Sequence, residues 1–513
     1  MNFNRRPPIY QSHPENAPLT GVGASPNTVT AVFAGQGREW GPSPGRPSGR
    51  RRSGGGRISA GWPRGARRLV TFYCVLFALY ALFGKGFAYL GVRPVYIGEI
   101  ALVIGIAATI FSWSRSLGVL LTHRLGILLI ALATWGLFRT IPYLGAFGTD
   151  ALRDAMLWGY SAFALVAGVL TLRLPGLLPE IQQRYTRFGK WYIFLGPILA
   201  ILTELLSSHL PRWPGTDVTI PDLKETDLCI HLAGIACFVM LRLGGRTWWF
   251  IPIFAGTLAA GAETRGGLVA FAVAFAVVLA LRPDAVKILL VIGTLTAVFV
   301  ALLIIDPHIK IHKGSREISA SQVVENVSSV GSHSSSLENT TEWRIRWWKR
   351  ILDYTVFGQY FWTGKGYGVN LAVSDGIANN NSDLRSPHNA HLNFLARSGV
   401  PGFLLWAVLQ FTWAGLMLSS RSLAKSIGAQ RWASLFTWIF AYWIAFIVNA
   451  AFDVSLEGPM NAIPFWMVFG LGWGGHIIFR RQMATRQVVT RQIDPKRGTR
   501  RGRFKWAPPV HQD

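Results

Sequence analysis

Long runs of apolar residues constrain the fold of this chain more than any other feature. A membrane-spanning helix needs about 20 mainly apolar residues, and the sequence contains twelve stretches of roughly that kind. They cover residues 69–89, 95–113, 124–143, 152–172, 189–208, 227–243, 247–263, 266–281, 285–305, 400–419, 432–451 and 462–479. Only 15% of the residues are charged, against about 25% in soluble domains. The pattern predicts an all-α polytopic membrane protein with about 12 transmembrane helices.

Most of the positive charge lies at the two ends of the chain. Residues 1–68 and 480–513 contain 11 and 10 Lys/Arg and two acidic residues each, so 17 of the 26 net charges lie there. The first tail is rich in Pro, Gly, Ser and Arg, and we expect it to be disordered because it has little apolar surface. Basic segments beside a membrane favour cytoplasmic retention and attraction to anionic lipids. We therefore predict membrane lipids, and no nucleic acid, as partners.

An even number of spans puts both tails on one side, and the short connections on that side contain more Lys and Arg than those on the other. The predicted organisation has five parts. They are a basic cytoplasmic tail (1–68), transmembrane helices 1–9 (69–305), a large external loop (306–399), transmembrane helices 10–12 (400–479) and a second basic cytoplasmic tail (480–513). Within the loop, the basic and aromatic residues 343–352 predict an amphipathic helix of the kind that lies in a headgroup interface.

Three short motifs are candidates for chemistry. Pro387-His388-Asn389 ends the loop, and Gly-Val-Pro-Gly follows it at residues 399–402, where a span begins. Thr264-Arg265-Gly266 precedes the eighth predicted span, and Trp343-Arg344 lies in the loop. Together these motifs resemble the signature of the O-antigen ligase/polymerase family. Thr264 replaces the family's serine, and Arg397-Ser398 stands where members often have an acidic residue.

This resemblance implies a GT-C-like glycosyltransferase of the bacterial inner membrane with its large loop in the periplasm. Such enzymes move a glycan from a polyprenyl diphosphate to a hydroxyl acceptor. The acceptor is another lipid-linked glycan for a polymerase of O-antigen or exopolysaccharide, and lipid A core for a ligase. The motifs do not separate these two, although the region of Arg153 and Asp154 is also similar to exopolysaccharide polymerases. Other polysaccharide assembly proteins are possible partners.

The resemblance also implies roles for individual residues. His388 would deprotonate or orient the acceptor hydroxyl, and Asn389 would hold the His loop or bind a sugar. Arg265 and Arg344 would bind the diphosphate, because guanidinium groups bind phosphate in a bidentate manner and keep their charge.

Three further arginines are candidate substrate-binding residues. Arg346 could take the role of Arg344, while Arg139 and Arg153 are second-rank candidates to bind phosphate or sugar.

His388 and His391 have a spacing that would place two metal ligands on one helical face, but no third metal ligand follows at a diagnostic spacing. The sequence contains no Asp-x-Asp and no Walker motif, so we predict no metal, no cofactor and a donor that is already activated. The resemblance to the family implies an inverting transfer.

Two other functions remain open at this stage. A transporter of lipid-linked oligosaccharide would also have many spans, but transporters often contain two similar halves, and the large loop interrupts any such symmetry. A non-catalytic assembly protein would be excluded by glycan transfer with the isolated chain.

Overall fold

The structure is a computed structural model that describes residues 61–281, 338–379 and 384–493, together with Gly293. Its helices are α1 (Arg64–Ala88), α2 (Ile97–Leu121), α3 (Arg124–Phe147), α4 (Thr149–Gly159), α5 (Ala162–Arg173), α6 (Leu177–Leu205), α7 (Glu225–Met240), α8 (Phe250–Glu263), α9 (Arg265–Leu281), α10 (Glu338–Thr355), α11 (Leu371–Ser374), α12 (Ala390–Ser426), α13 (Gln430–Ala450) and α14 (Pro459–Ile493), with a 3₁₀ helix at Thr247–Trp249. A two-stranded antiparallel hairpin, β1 (Gly91–Val92) and β2 (Val95–Tyr96), joins α1 to α2.

Within these described ranges, seven helices are long and apolar enough to cross a membrane. They are α1, α2, α3, α6, α12, α13 and α14, the last over Pro459–Thr485. Helices α4 and α5 form an eighth candidate that is bent by 41°. The all-α polytopic architecture is thus supported, and it contains fewer long spans than the twelve apolar stretches suggest.

The other predicted spans have different outcomes. The stretch at 227–243 corresponds to α7, which has 16 residues. The stretches at 247–263 and 266–281 correspond to short apolar helices. Apart from Gly293, the stretch at 285–305 lies outside the described residues, as do residues 1–60, 306–337, 380–383 and 494–513.

Helices α13 and α14 lie at the centre of the bundle. Their most apolar windows are 83% and 89% buried, whereas the window of α2 is only 22% buried. Helix α14 packs closely on α5 because glycines face that helix: a Cβ at Gly470 would lie 2.4 Å from the carbonyl oxygen of Ala164. Small residues allow such close backbone approach between membrane helices. The exposed apolar side chains of α2, α3 and α6 are then left for the lipid.

The loop and the beginning of α12 form a small hydrophobic core that is separate from the main core of the bundle. Trp347 and Ile351 on α10 are fully buried, and they pack with Leu371, Ala372, Leu395 and Ala396. The predicted amphipathic helix is therefore present, but its apolar side packs on the protein. The Trp347 ring also donates an Nε1–H bond to Asp375 over 2.6 Å. This packing fixes α10 against the beginning of α12.

Candidate functional site

His388 lies in a constrained turn immediately before α12. Its φ is +48°, a left-handed conformation that is uncommon for residues other than glycine. On one side, Trp348 donates from Nε1 to the carbonyl oxygen of Pro387 over 2.8 Å. On the other side, the Asn389 side chain accepts from the Leu392 backbone N–H over 3.0 Å and caps α12. The turn is thus held between α10 and α12, and such strain is commonly found at functional sites.

Asp453 faces the His388 ring from a different part of the chain. It lies in the connection between α13 and α14, and its Oδ1 is 3.7 Å from His388 Nδ1. Its Oδ2 is 3.4 Å from Lys224 Nζ. Its backbone carbonyl oxygen accepts from the Ala390 N–H over 3.2 Å, which ties the connection to the start of α12. The His388 side chain is 32% exposed while that of Asp453 is 11% exposed, so the ring has one carboxylate-facing side and one open side.

The surroundings keep Asp453 ionised. Burial alone would raise the pKa of this carboxyl, but the nearby His388 and Lys224 outweigh burial and lower the pKa to about 2. Lys224 responds in the opposite sense: burial lowers its pKa, and the charge of Asp453 more than compensates, so the pKa is raised. The site therefore presents a fixed negative charge behind the histidine.

Arg344 lies next to this pair. The edge of the neighbouring Trp343 ring meets His388 at a centroid distance of 6.0 Å. Burial lowers the pKa of Arg344, while the charge of Asp453 opposes that change. Within the described part of the chain, Arg344 Nε is buried without a hydrogen-bond partner. A desolvated guanidinium with an unused donor is suited to an anionic ligand.

Arg265 approaches the same region from α9, of which it is the first residue. A Cβ at the following Gly266 would lie 2.8 Å from the Cβ of Phe452, and Phe452 immediately precedes Asp453. The beginning of α9 therefore packs against the connection that holds Asp453. The fold thus brings the segments of His388, Arg344 and Arg265 to one end of the bundle.

Arg139 and Arg153 lie in a separate network. Arg139 is buried and donates from Nε to the carbonyl oxygen of Thr363 over 2.7 Å. Arg153 is half exposed and contacts Asp154 over 3.0 Å. Asp154 is also approached by Arg397 at 2.9 Å and Arg385 at 3.4 Å. These contacts join α3 and α4 to the loop and α12.

A further chain of contacts connects this network to the His turn. Buried Arg397 donates from Nε to Asn393 Oδ1 over 3.0 Å. Asn393 in turn donates to Glu457, and the Ser386 hydroxyl donates to the same carboxyl over 3.2 Å. Burial raises the pKa of Glu457 to about 7, against the opposing charge of Arg397. Glu457 therefore fixes the chain two residues before His388.

The remaining candidates are placed differently. Arg346 is exposed on α10. His391 points into the bundle, where its Nε2 lies 3.0 Å from the Ile447 carbonyl oxygen and its Nδ1 accepts from Trp406 over 3.2 Å. His388 and His391 therefore have separate partners.

Sequence reasoning did not select Asp453, Lys224 or Glu457 as site residues. One signal was present: residues 452–461 form a short connection whose charged residues are Asp453 and Glu457 alone. Acidic residues next to a membrane span are costly and commonly functional. Their partners, however, lie in distant parts of the sequence.

Residues 233–407 match the family model described as O-antigen ligase. The matched region runs from α7 into α12 and contains Arg265, Arg344 and His388, so the resemblance predicted from these motifs is confirmed. No curated protein matches the chain significantly. The match and the apolar helices support a multi-pass membrane enzyme of O-antigen assembly, with glycosyltransferase-like activity in general.

Proposed function

We propose that this protein transfers a glycan from a polyprenyl diphosphate to a hydroxyl acceptor, with inversion and without a metal ion. The observation that carries the proposal is the His388–Asp453 pair, with the buried guanidinium of Arg344 beside it. These groups can serve as a base, a carboxylate that orients the base and a site for an anionic leaving group.

In the proposed reaction, His388 takes the proton of the acceptor hydroxyl. Its Nδ1 faces Asp453, which leaves Nε2 to accept that proton. The acceptor oxygen forms a bond to the anomeric carbon as the bond from that carbon to the diphosphate breaks. Asp453 orients the ring and stabilises the imidazolium that forms, as a carboxylate does behind other catalytic histidines. One displacement of this kind inverts the configuration at the anomeric carbon.

Arg344 and Arg265 bind the diphosphate in this proposal. The negative charge on the leaving group grows as the glycosidic bond breaks, and prepositioned positive charge stabilises that transition state. The unused Nε–H of Arg344 supports its assignment. The packing of α9 against Phe452 supports that of Arg265. Arg139 instead connects α3 to the loop, and Arg153 pairs with Asp154, the carboxylate that Arg385 of the loop also contacts, so we assign both a positioning role.

The acceptor separates a polymerase from a ligase, and a reconstitution experiment tests both. The purified protein is incubated with polyprenyl-diphosphate-linked repeat units alone, and the products are resolved on a gel. A ladder that is lost in His388→Ala establishes a polymerase in O-antigen or exopolysaccharide assembly. Transfer that requires added lipid A core establishes a ligase. A His388→Ala protein that transfers glycan at the wild-type rate would refute the assignment of the base.

A further inference from the structure

The segment that follows α10, residues 357–363, presents large apolar side chains to its surroundings. Phe357 is 82% exposed and Trp362 is 68% exposed. Residues 354–364 contain no charged side chain, although the helix before them is rich in arginine. Exposed apolar side chains that lie close together mark an interaction site more often than single ones do. The segment is therefore a candidate surface for an apolar partner.

Contacts to α3 and α12 give the depth of this segment in the bundle. Arg139 Nε donates to the Thr363 carbonyl oxygen over 2.7 Å, and the Val400 N–H donates to the Phe361 carbonyl oxygen over 2.8 Å. Arg139 lies about 22 Å along α3 from its first residue, Arg124, at about 1.5 Å per residue. The hydrocarbon core of a bilayer is about 30 Å thick, and α3 is long enough to cross it. Thr363 therefore lies at the edge of that core on the side of the loop.

The helix surfaces around this point are apolar and exposed. Phe138 and Ile141, which lie on either side of the Thr363 contact along α3, are more than half exposed, and so is Leu404 on α12. At the break in α12, a Cβ at Gly399 would lie 2.8 Å from the backbone carbonyl carbon of Trp362. Trp362 thus continues a surface of two long apolar helices that faces lipid.

Several backbone groups of the segment are hydrogen-bonded inside the protein. Besides the two carbonyl contacts to α3 and α12, the Tyr360 N–H donates to the Tyr354 carbonyl oxygen over 3.0 Å. The Gly364 N–H donates to the Tyr360 carbonyl oxygen over 2.9 Å, and the Phe361 N–H donates to that of Gly358 over 3.3 Å. Irregular backbone is tolerated at membrane depth only where the protein satisfies its polar groups. These contacts therefore suit a segment beside lipid.

We propose that residues 357–363 are embedded in the leaflet on the side of the loop, with Phe357 and Trp362 in contact with phospholipid. Tryptophan prefers the boundary between headgroups and hydrocarbon, which is the level that the contact of Thr363 with α3 gives. The embedded segment would hold the small core of the loop at a fixed height above the lipid. It is independent of glycan transfer, since none of its residues is assigned to the reaction.

Spin-label depth measurements test this proposal without any need for activity. The full-length Cys74→Ser protein is reconstituted in phosphatidylcholine vesicles, and the two remaining cysteines are fully buried. A nitroxide is attached at Trp362→Cys or at Phe357→Cys. EPR power saturation then compares its accessibility to oxygen, which concentrates in hydrocarbon, with its accessibility to a nickel chelate, which stays in water. We expect the ratio of oxygen to chelate accessibility at both positions to be several-fold higher than at a site in water.

Two positions of the same chain serve as references. Phe411→Cys, on a side of α12 where the native side chain is 76% exposed, gives the ratio in hydrocarbon. Asp217→Cys, at a fully exposed side chain in the connection before α7, gives the ratio in water. In vesicles, Trp362→Glu should also raise the rate of protease cleavage in the segment several-fold, because a carboxylate is disfavoured at the boundary. Trp362→Phe should leave that rate unchanged.

Two outcomes would overturn the proposal. A ratio at either labelled position equal to that of Asp217→Cys would place the segment in water. Low accessibility to both oxygen and the chelate would show that protein, and not lipid, covers the surface. Each labelled position is measured independently, so Phe357→Cys decides the question where a variant of Trp362 fails to fold.

Discussion

At the scale of single residues, side chains that are fully engaged in contacts within the protein differ from side chains that remain accessible to a ligand. His388 has a carboxylate on one side and an open side on the other, and the Nε–H of Arg344 has no acceptor among the residues that the structure describes. Arg139 and Arg397 are buried in contacts that connect elements. These arginine side chains are thus of two kinds, those that join structural elements and one whose Nε–H lacks an acceptor in the described part of the chain, and their local contacts distinguish them.

Asp453→Asn should lower kcat about 10²-fold or more and change KM little. In the proposed reaction, Asp453 orients the base and stabilises its protonated form without touching substrate, so its loss acts on the transition state. Steady-state kinetics of glycan transfer with purified protein measure this effect. Glu342→Gln, at an exposed position on α10, should leave both constants unchanged. An Asp453→Asn protein that is stable and shows a raised KM with normal kcat would contradict the positioning role.

Glu457 should make the stability of the protein depend on pH. Its pKa is raised from an ordinary 4.5 to about 7 in the folded protein, so the folded state favours the protonated carboxyl. This contribution is complete below pH 4.5 and is lost as the pH rises through about 7. Thermal unfolding between pH 5 and pH 8 should show a falling Tm, and Glu457→Gln should flatten that slope. The control Asp217→Asn, at a fully exposed side chain, should retain it.

At the scale of elements, the helices pack in two ways. Helices α5 and α14 meet through glycines, while α10 meets α11 and α12 through a small aromatic and aliphatic core. Helix α12 has both a capped beginning at Asn389 and a break at Gly399, where φ is +67°. That break lets α12 turn from the loop into the bundle.

Gly470→Ala should destabilise the bundle, since the added Cβ would lie 2.4 Å from the carbonyl oxygen of Ala164. Overpacking of a close contact typically costs about 1–3 kcal/mol, which we expect to appear as a Tm several degrees lower in detergent. Gly415→Ala on α12 is the matched control, because nothing lies within 4 Å of its added Cβ. Equal Tm values for the two variants would show that α5 and α14 are not so closely packed.

At the scale of the whole molecule, two networks join the loop to the bundle. One centres on Asp154 and joins α4 to the loop and α12 through Arg385 and Arg397. The other joins Lys224 before α7 to Asp453 and so to the His turn. The proposed base and the arginines proposed to bind the diphosphate are on separate segments, so their relative positions depend on these two networks.

Asp154→Ala should loosen the loop and reduce transfer without removing any group proposed to act on substrate. Its loss leaves Arg397, which is 1% exposed, without its carboxylate, and breaking a buried ion pair typically costs about 3–5 kcal/mol. Limited proteolysis should cleave the loop faster in this variant. Asp150→Ala removes a more exposed carboxylate, with a side chain 32% exposed, and should have a smaller effect. Similar cleavage rates in Asp154→Ala and the wild type would contradict the role of Asp154 in holding the loop to the bundle.

The sequence by itself determined the class of fold and the residues of the motifs. Apolar runs report membrane helices because each run is a local property, and the motifs of Arg265, Arg344 and His388 are short enough to be read in one segment. The same local pattern overestimated the number of long spans, since a short helix buried by its neighbours, such as α7, is as apolar as one that faces lipid.

Only the tertiary structure decided which residues work together. Asp453 and Lys224 are 229 residues apart in sequence, and nothing in either segment specifies the other. Whether an arginine binds a phosphate or joins two elements depends on the carboxylates and carbonyl oxygens that the fold brings to it. Electrostatic partners act through space over a few ångströms, so only the packing of the helices establishes them.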